Sequence, residues 1–201
     1  MKKFFSFTLL TLALVGCDSQ ITGTTDVLMP LSIKNKKGVA TVISPASYES
    51  SYAWSAKKHA LTLTFKQQGQ KKKQKFTIQL PSSVNLPTQN GPISVGATEL
   101  GQDWNLRGDI HTSNERSRDY RDFEYCSLTR WERICENFPP YRCYDRSVTY
   151  PGHRQVEYHY ESSHTILNLE FQDAANGAAV GTFDGARSDS DRVYTYYGAC
   201  Y

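Results

Sequence analysis

Between residues 31 and 80, apolar and polar side chains alternate with a period of two. Leu31 and Ile33, then Val39, Thr41 and Ile43, flank the turn Asn35-Lys36-Lys37-Gly38. Leu61, Leu63 and Phe65, then Phe76, Ile78 and Leu80, flank a second turn that runs from Lys66 to Lys75 around Gly69. A period of two sends successive side chains to opposite faces of an extended chain, so each block reads as a β-hairpin. Pro81, Pro87 and Pro92, with Asn90-Gly91, mark the loop that follows. No segment keeps a helical period for three turns. The spacing predicts an all-β fold, an antiparallel sandwich or barrel-like sheet.

The stretch from Glu115 to Ser162 is rich in Tyr, Arg and acidic residues, and seven of the thirteen tyrosines fall between Tyr120 and Tyr160. Folded as one long hairpin with Pro139-Pro140 near its tip, it is best paired where residue numbers sum to 278. That register puts Cys135 opposite Cys143, Arg133 opposite Asp145, Glu132 opposite Arg146, Glu124 opposite Arg154, and Arg121 opposite Glu157. Opposite charges directly across an antiparallel ladder contribute roughly 0.2–1 kcal/mol each. Placing Cys126 opposite Cys143 instead faces Glu124 with Asp145, a like-charge pair. A bulge is expected at Pro151-Gly152, which would let the outer half slip by one residue.

Charge changes character along the chain. Of the 201 residues, every lysine lies at or before Lys75 and every arginine at or after Arg107. Residues 17–102 hold ten lysines against four acids, whereas residues 103–201 hold eleven arginines against sixteen acids. The expected organisation is a signal segment over 1–16, a short tether over 17–26, and a single β domain over 27–201 with a possible change of lobe near 102. Aromatic residues make up 12% and the net charge is only +3, which excludes a disordered chain.

The N-terminus explains the isolated fifth cysteine. Lys2-Lys3 precede an apolar run from Phe4 to Val15, and Gly16 is a small residue at a cleavage position. Leu14-Val15-Gly16-Cys17 resembles the lipobox of bacterial lipoproteins, a resemblance confined to residues 1–17. It implies a diacylglycerol thioether on Cys17, cleavage before it, and usually acylation of the new amine with a chain such as palmitate. Two or three acyl chains anchor firmly where one does not. Asp18 resembles an inner-membrane retention signal of the enteric sorting system, a rule other bacteria do not all share, so inner and outer membrane both stay open. The tether would reach roughly 30 Å if extended.

Export to an oxidising envelope lets the four remaining cysteines form disulfides. The register selects Cys135–Cys143 as a clasp and leaves Cys126–Cys200 to tie back the C-terminus. A four-thiolate zinc site needs short C-x2-C knuckles, which the gaps between these cysteines do not supply. Glu157, His159 and Glu161 alternate on one strand face, expected to be its solvent face, and form the one polar cluster worth weighing for metal or proton chemistry. Asp184, Asp189 and Asp191 lack EF-hand spacing. No G-x-S-x-G, H-E-x-x-H or phosphate-binding glycine loop occurs.

The lysines at Lys66 and Lys71 to Lys75 read as a solvated turn that discourages edge pairing, with anionic headgroups as the alternative contact. No cofactor, metal or nucleic-acid partner is expected. The expectation is a lipid-anchored envelope lipoprotein that binds or scaffolds through its Tyr/Arg ribbon, with the membrane and an envelope protein as partners. The alternative is an envelope hydrolase whose site is assembled from distant residues.

Overall fold

The structure is a computed structural model that describes residues 19–35 and 37–201. Cys17 and the whole signal segment lie outside the described residues. The strands are β1 (Ser19–Val27), β2 (Leu31–Lys34), β3 (Ala40–Ile43), β4 (Ala46–Ser55), β5 (Ala60–Gln67), β6 (Gln74–Gln79), β7 (Gly91–Val95), β8 (Trp104–Arg116), β9 (Tyr120–Cys135), β10 (Cys143–Asp173) and β11 (Ala179–Tyr197). One helical turn, α1 (Ala97–Leu100), precedes β8. The fold is all-β and antiparallel, as the alternation predicts.

The chain divides into two compact units where a single domain is expected. Of the described residues, the first holds those up to Ile110 together with Leu167–Gly185, and the second holds His111–Ile166 with Ala186–Tyr201. The change of composition near 102 falls close to the first boundary. The return of residues 167–185 to the first unit is a long-range event with no local signal.

In the first unit the strand order is β6-β5-β4-β1-β11-β10-β8-β7, with β2 and β3 forming a separate hairpin. Both expected hairpins form, with Leu31 opposite Ile43 and Leu63 opposite Phe76. Leu61, Leu63, Phe65, Phe76 and Ile78 are buried. Each such side chain contributes roughly 1.5–3 kcal/mol relative to exposure. Phe171 is fully buried, edge-on to Trp104 at a centroid distance of 5.1 Å. Trp104 also donates its indole N–H to the Ser32 carbonyl at 2.9 Å, which fastens the β2–β3 hairpin to this core. Pro92 is tolerated in β7 because that strand is a sheet edge.

The tether expected over 17–26 is corrected. Residues from Ser19 onward are β1, paired with β4 along its whole length, and Ile21, Thr25 and Val27 are buried. Gly23 and Thr25 occupy inward positions and hide the strand pattern. Gly23 is required there, because a Cβ would lie 2.0 Å from the Asp184 carbonyl oxygen of β11.

In the second unit β10 lies between β9 and β11. The β9–β10 register sums to 278 at every pair from Tyr120–Tyr158 to Cys135–Cys143. The bulge expected at Pro151-Gly152 does not form. Gly152 stays in register opposite Cys126, where a Cβ would meet Cys200 Sγ at 2.8 Å and the Tyr201 carbonyl oxygen at 2.7 Å. The glycine makes room for the C-terminal strap, not for a change of register. Both disulfides, Cys126–Cys200 and Cys135–Cys143, are those the register selects.

Candidate functional site

Strict alternation along β9 and β10 gives the ribbon two unlike faces. The even-numbered positions carry a tyrosine–arginine cluster. Arg192 sits 4.4 Å above the centre of the Tyr158 ring and donates to Glu124 (3.3 Å), to the Tyr194 hydroxyl (3.2 Å) and to the Tyr160 hydroxyl (3.2 Å). Tyr194 in turn donates to the Glu124 carboxylate. Arg154 stacks over Tyr197 at 4.5 Å and approaches Glu124 at 3.5 Å. Tyr120 and Tyr158 stack at 5.6 Å, and Tyr194 and Tyr197 at 4.6 Å.

These contacts set the ionisation of the cluster. The bond to Glu124 raises the Tyr194 phenol above its ordinary range. Burial raises Tyr158. The hydroxyls of Tyr194 and then Tyr160 hold Arg192 more firmly protonated than a free guanidinium. The bonds among Arg192, Tyr194, Tyr160 and Glu124 fix β11 to the ribbon, while the Arg154 Nε is buried without a hydrogen-bond partner among the described residues.

The odd-numbered positions are different. On β9 they expose Phe123, Tyr125 and Trp131, which are 59%, 84% and 76% exposed. The register places Gln155, His153 and Ser147 beside them on β10. Tyr125 and His153 rings lie 4.6 Å apart, and the hydroxyls of Thr129 and Thr149 meet at 3.4 Å. An ion pair closes each end of this strip: Arg121–Glu157 at 2.8 Å and Arg133–Asp145 at 3.0 Å. Three large exposed aromatics in one row on β9 form a surface of the composition that interfaces favour.

The weighed polar cluster is rearranged. His159 is buried, not on a solvent face. Its Nε2 lies 3.2 Å from Glu161 and its Nδ1 3.7 Å from Asp119, a residue the sequence pattern does not bring near it. Glu157 turns instead to Arg121. The register holds at Glu132 and Arg146, but Glu132 accepts from the Tyr150 hydroxyl instead of pairing with Arg146. Asp189 pairs with Arg187 at 2.6 Å. Among the described residues no group of three or more His, Cys, Asp or Glu is arranged to hold a metal ion.

The nearest approach to a nucleophile–base pair is Ser188 Oγ with His164 Nδ1 at 2.9 Å. Both side chains are exposed. Among the described residues no carboxylate is paired with His164 to orient it, so the constellation of a serine hydrolase is not assembled.

No family model, curated protein or solved structure matches this chain.

Proposed function

We propose that this chain is a lipid-anchored bacterial envelope lipoprotein and that its second unit is a binding module. The reading of the anchor rests on the lipobox-like Leu14-Val15-Gly16-Cys17. The reading of the module is supported by one observation above the others. Phe123, Tyr125 and Trp131 project from the same face of β9 into solvent, while on the opposite face Glu124 is taken up by Arg192 and Tyr194 of β11. Removing such aromatics from water is what makes Trp and Tyr the dominant residues of binding surfaces.

Two measurements test this. Acyl labelling of the wild-type chain, with none on Cys17→Ser, is the expected result for the anchor; labelling of both would end that reading. Cross-linking in intact envelopes followed by affinity purification should yield products that Phe123→Ser/Tyr125→Ser/Trp131→Ser loses. A pattern of products identical in the triple variant would refute the binding face.

A further inference from the structure

The exposed face of the ribbon is self-complementary, in size and in charge. Its three large aromatics all stand on β9. The positions beside them on β10 carry the smaller Gln155, His153 and Ser147. The two cations, Arg121 and Arg133, also stand on β9, and the two carboxylates, Glu157 and Asp145, on β10.

We infer that this face binds the same face of a second copy of the chain, about a two-fold axis parallel to the strands. The inference deepens the proposed function and rests on reading this face as a binding surface. That axis exchanges the strands and keeps the level along them. Arg121 then lies over the partner's Glu157, and Arg133 over the partner's Asp145. Each existing ion pair becomes half of an alternating four-charge square. Trp131 meets the partner's Ser147, Phe123 the partner's Gln155, and Tyr125 the partner's His153.

Packed sheets stand about 10 Å apart, a gap filled when large side chains face small ones. The other face-to-face arrangement, with the axis in the sheet plane and across the strands, fails on the same residues. It stacks β9 on β9, reverses the level, sets Arg121 over the partner's Arg133, and crowds aromatics against aromatics. Because β-strands twist with one hand, the paired faces coil about each other along their length.

Size sets the strength. Seven cross-strand pairs contribute from each copy, from Arg121–Glu157 to Arg133–Asp145. That is fewer than the roughly 20–30 residues a side of a stable standard interface. The pair is therefore weak in free solution and is strengthened when both copies are held on one membrane at high local concentration.

The test is sedimentation equilibrium of the full chain carrying Cys17→Ser, together with energy transfer between two labelled populations. Concentration-dependent dimers are expected, and Trp131→Ser should weaken them by about thirtyfold or more, the scale of an aromatic hot spot. Trp131 is exposed, so its loss leaves the fold intact. A second variant exchanges both charge pairs: Arg121→Glu, Glu157→Arg, Arg133→Asp and Asp145→Arg. It should pair with itself as wild type does, yet pair with wild type about tenfold or more less well, because like charges then face each other.

Equal mixing of the exchanged and wild-type chains would overturn the proposed axis. Monomers at every concentration, or dimers indifferent to Trp131→Ser, would overturn self-pairing. If self-pairing fails while envelope cross-links still depend on Trp131, the face binds a different partner. If both are absent, the reading of the face as a binding surface falls with it.

Discussion

Removing the two disulfides separately should have unequal effects, and the inequality follows from where the chain closes. Cys126–Cys200 joins residues 74 apart, whereas Cys135–Cys143 joins residues 8 apart. Constraining the unfolded chain by loops of those lengths corresponds to about 4.4 and about 2.5 kcal/mol at 25 °C. The long bridge also holds the C-terminus, where Tyr201 and His153 exchange two backbone hydrogen bonds of 3.0 Å. Loss of that strap removes a contact on Gly152 and releases the end of the chain. Cys126→Ser/Cys200→Ser should therefore lower stability by more than Cys135→Ser/Cys143→Ser, by about 2 kcal/mol. Urea denaturation followed by near-ultraviolet tyrosine dichroism reports this, since the second unit carries the tyrosine cluster. Equal midpoints for the two variants, or a larger effect at the tip, would refute the loop argument.

Three further outcomes are expected. Phe171→Ala should cost about 3–5 kcal/mol in urea denaturation, because a fully buried ring packed on Trp104 is replaced by a cavity; a loss below 1 kcal/mol would mean that this core collapses freely. In a cycle of Arg121→Glu, Glu157→Arg and the double variant, a coupling of about 0.2–1 kcal/mol should appear at low salt and shrink with added salt; strict additivity would contradict the register. Alkaline titration should reveal a class of phenols that keep their protons above the ordinary value of 10.0, raised by burial at Tyr52 and Tyr158 and by carboxylate bonds at Tyr150 and Tyr194. A phenol raised in the folded state supports stability fully below the unfolded value, and that support is lost as pH climbs from there through the folded value. Stability should therefore fall as pH rises above about 10, and absorbance showing all thirteen tyrosines ionising together near that value in the folded protein would exclude this.

The ribbon was legible because charge, cysteine and register constrain one another. Cys135 with Cys143, Arg133 with Asp145 and Arg121 with Glu157 all agree on one sum, and only one alignment satisfies them. Cys126–Cys200 follows by elimination. The first strand was not legible, since Gly23 and Thr25 stand where apolar residues would announce it. Their inward places follow from the close approach of β11, a partner about 160 residues away. The burial of His159 was hidden for a related reason: alternation tells which side chains share a face, not which face is covered. Asp119 reaches His159 from before β9, and no local pattern links them. The unequal faces of the ribbon needed the structure, because Tyr125 and Tyr158 look alike in sequence and differ by their exposure, 84% against 7%.

Trp131 offers the most direct test of the binding face. Of the three tryptophans, Trp54 and Trp104 are buried and Trp131 is exposed, so collisional quenching by acrylamide reads that side chain. The measurement is made on the chain tethered at its N-terminus to phospholipid vesicles as the protein-to-lipid ratio is raised tenfold. Trp131 should be freely quenched at the lowest density and progressively shielded as copies meet on the membrane, with Arg133→Asp remaining accessible throughout. Quenching that stays at its dilute value across the whole range, in wild type and variant alike, would contradict the claim that this face binds a second copy of the chain.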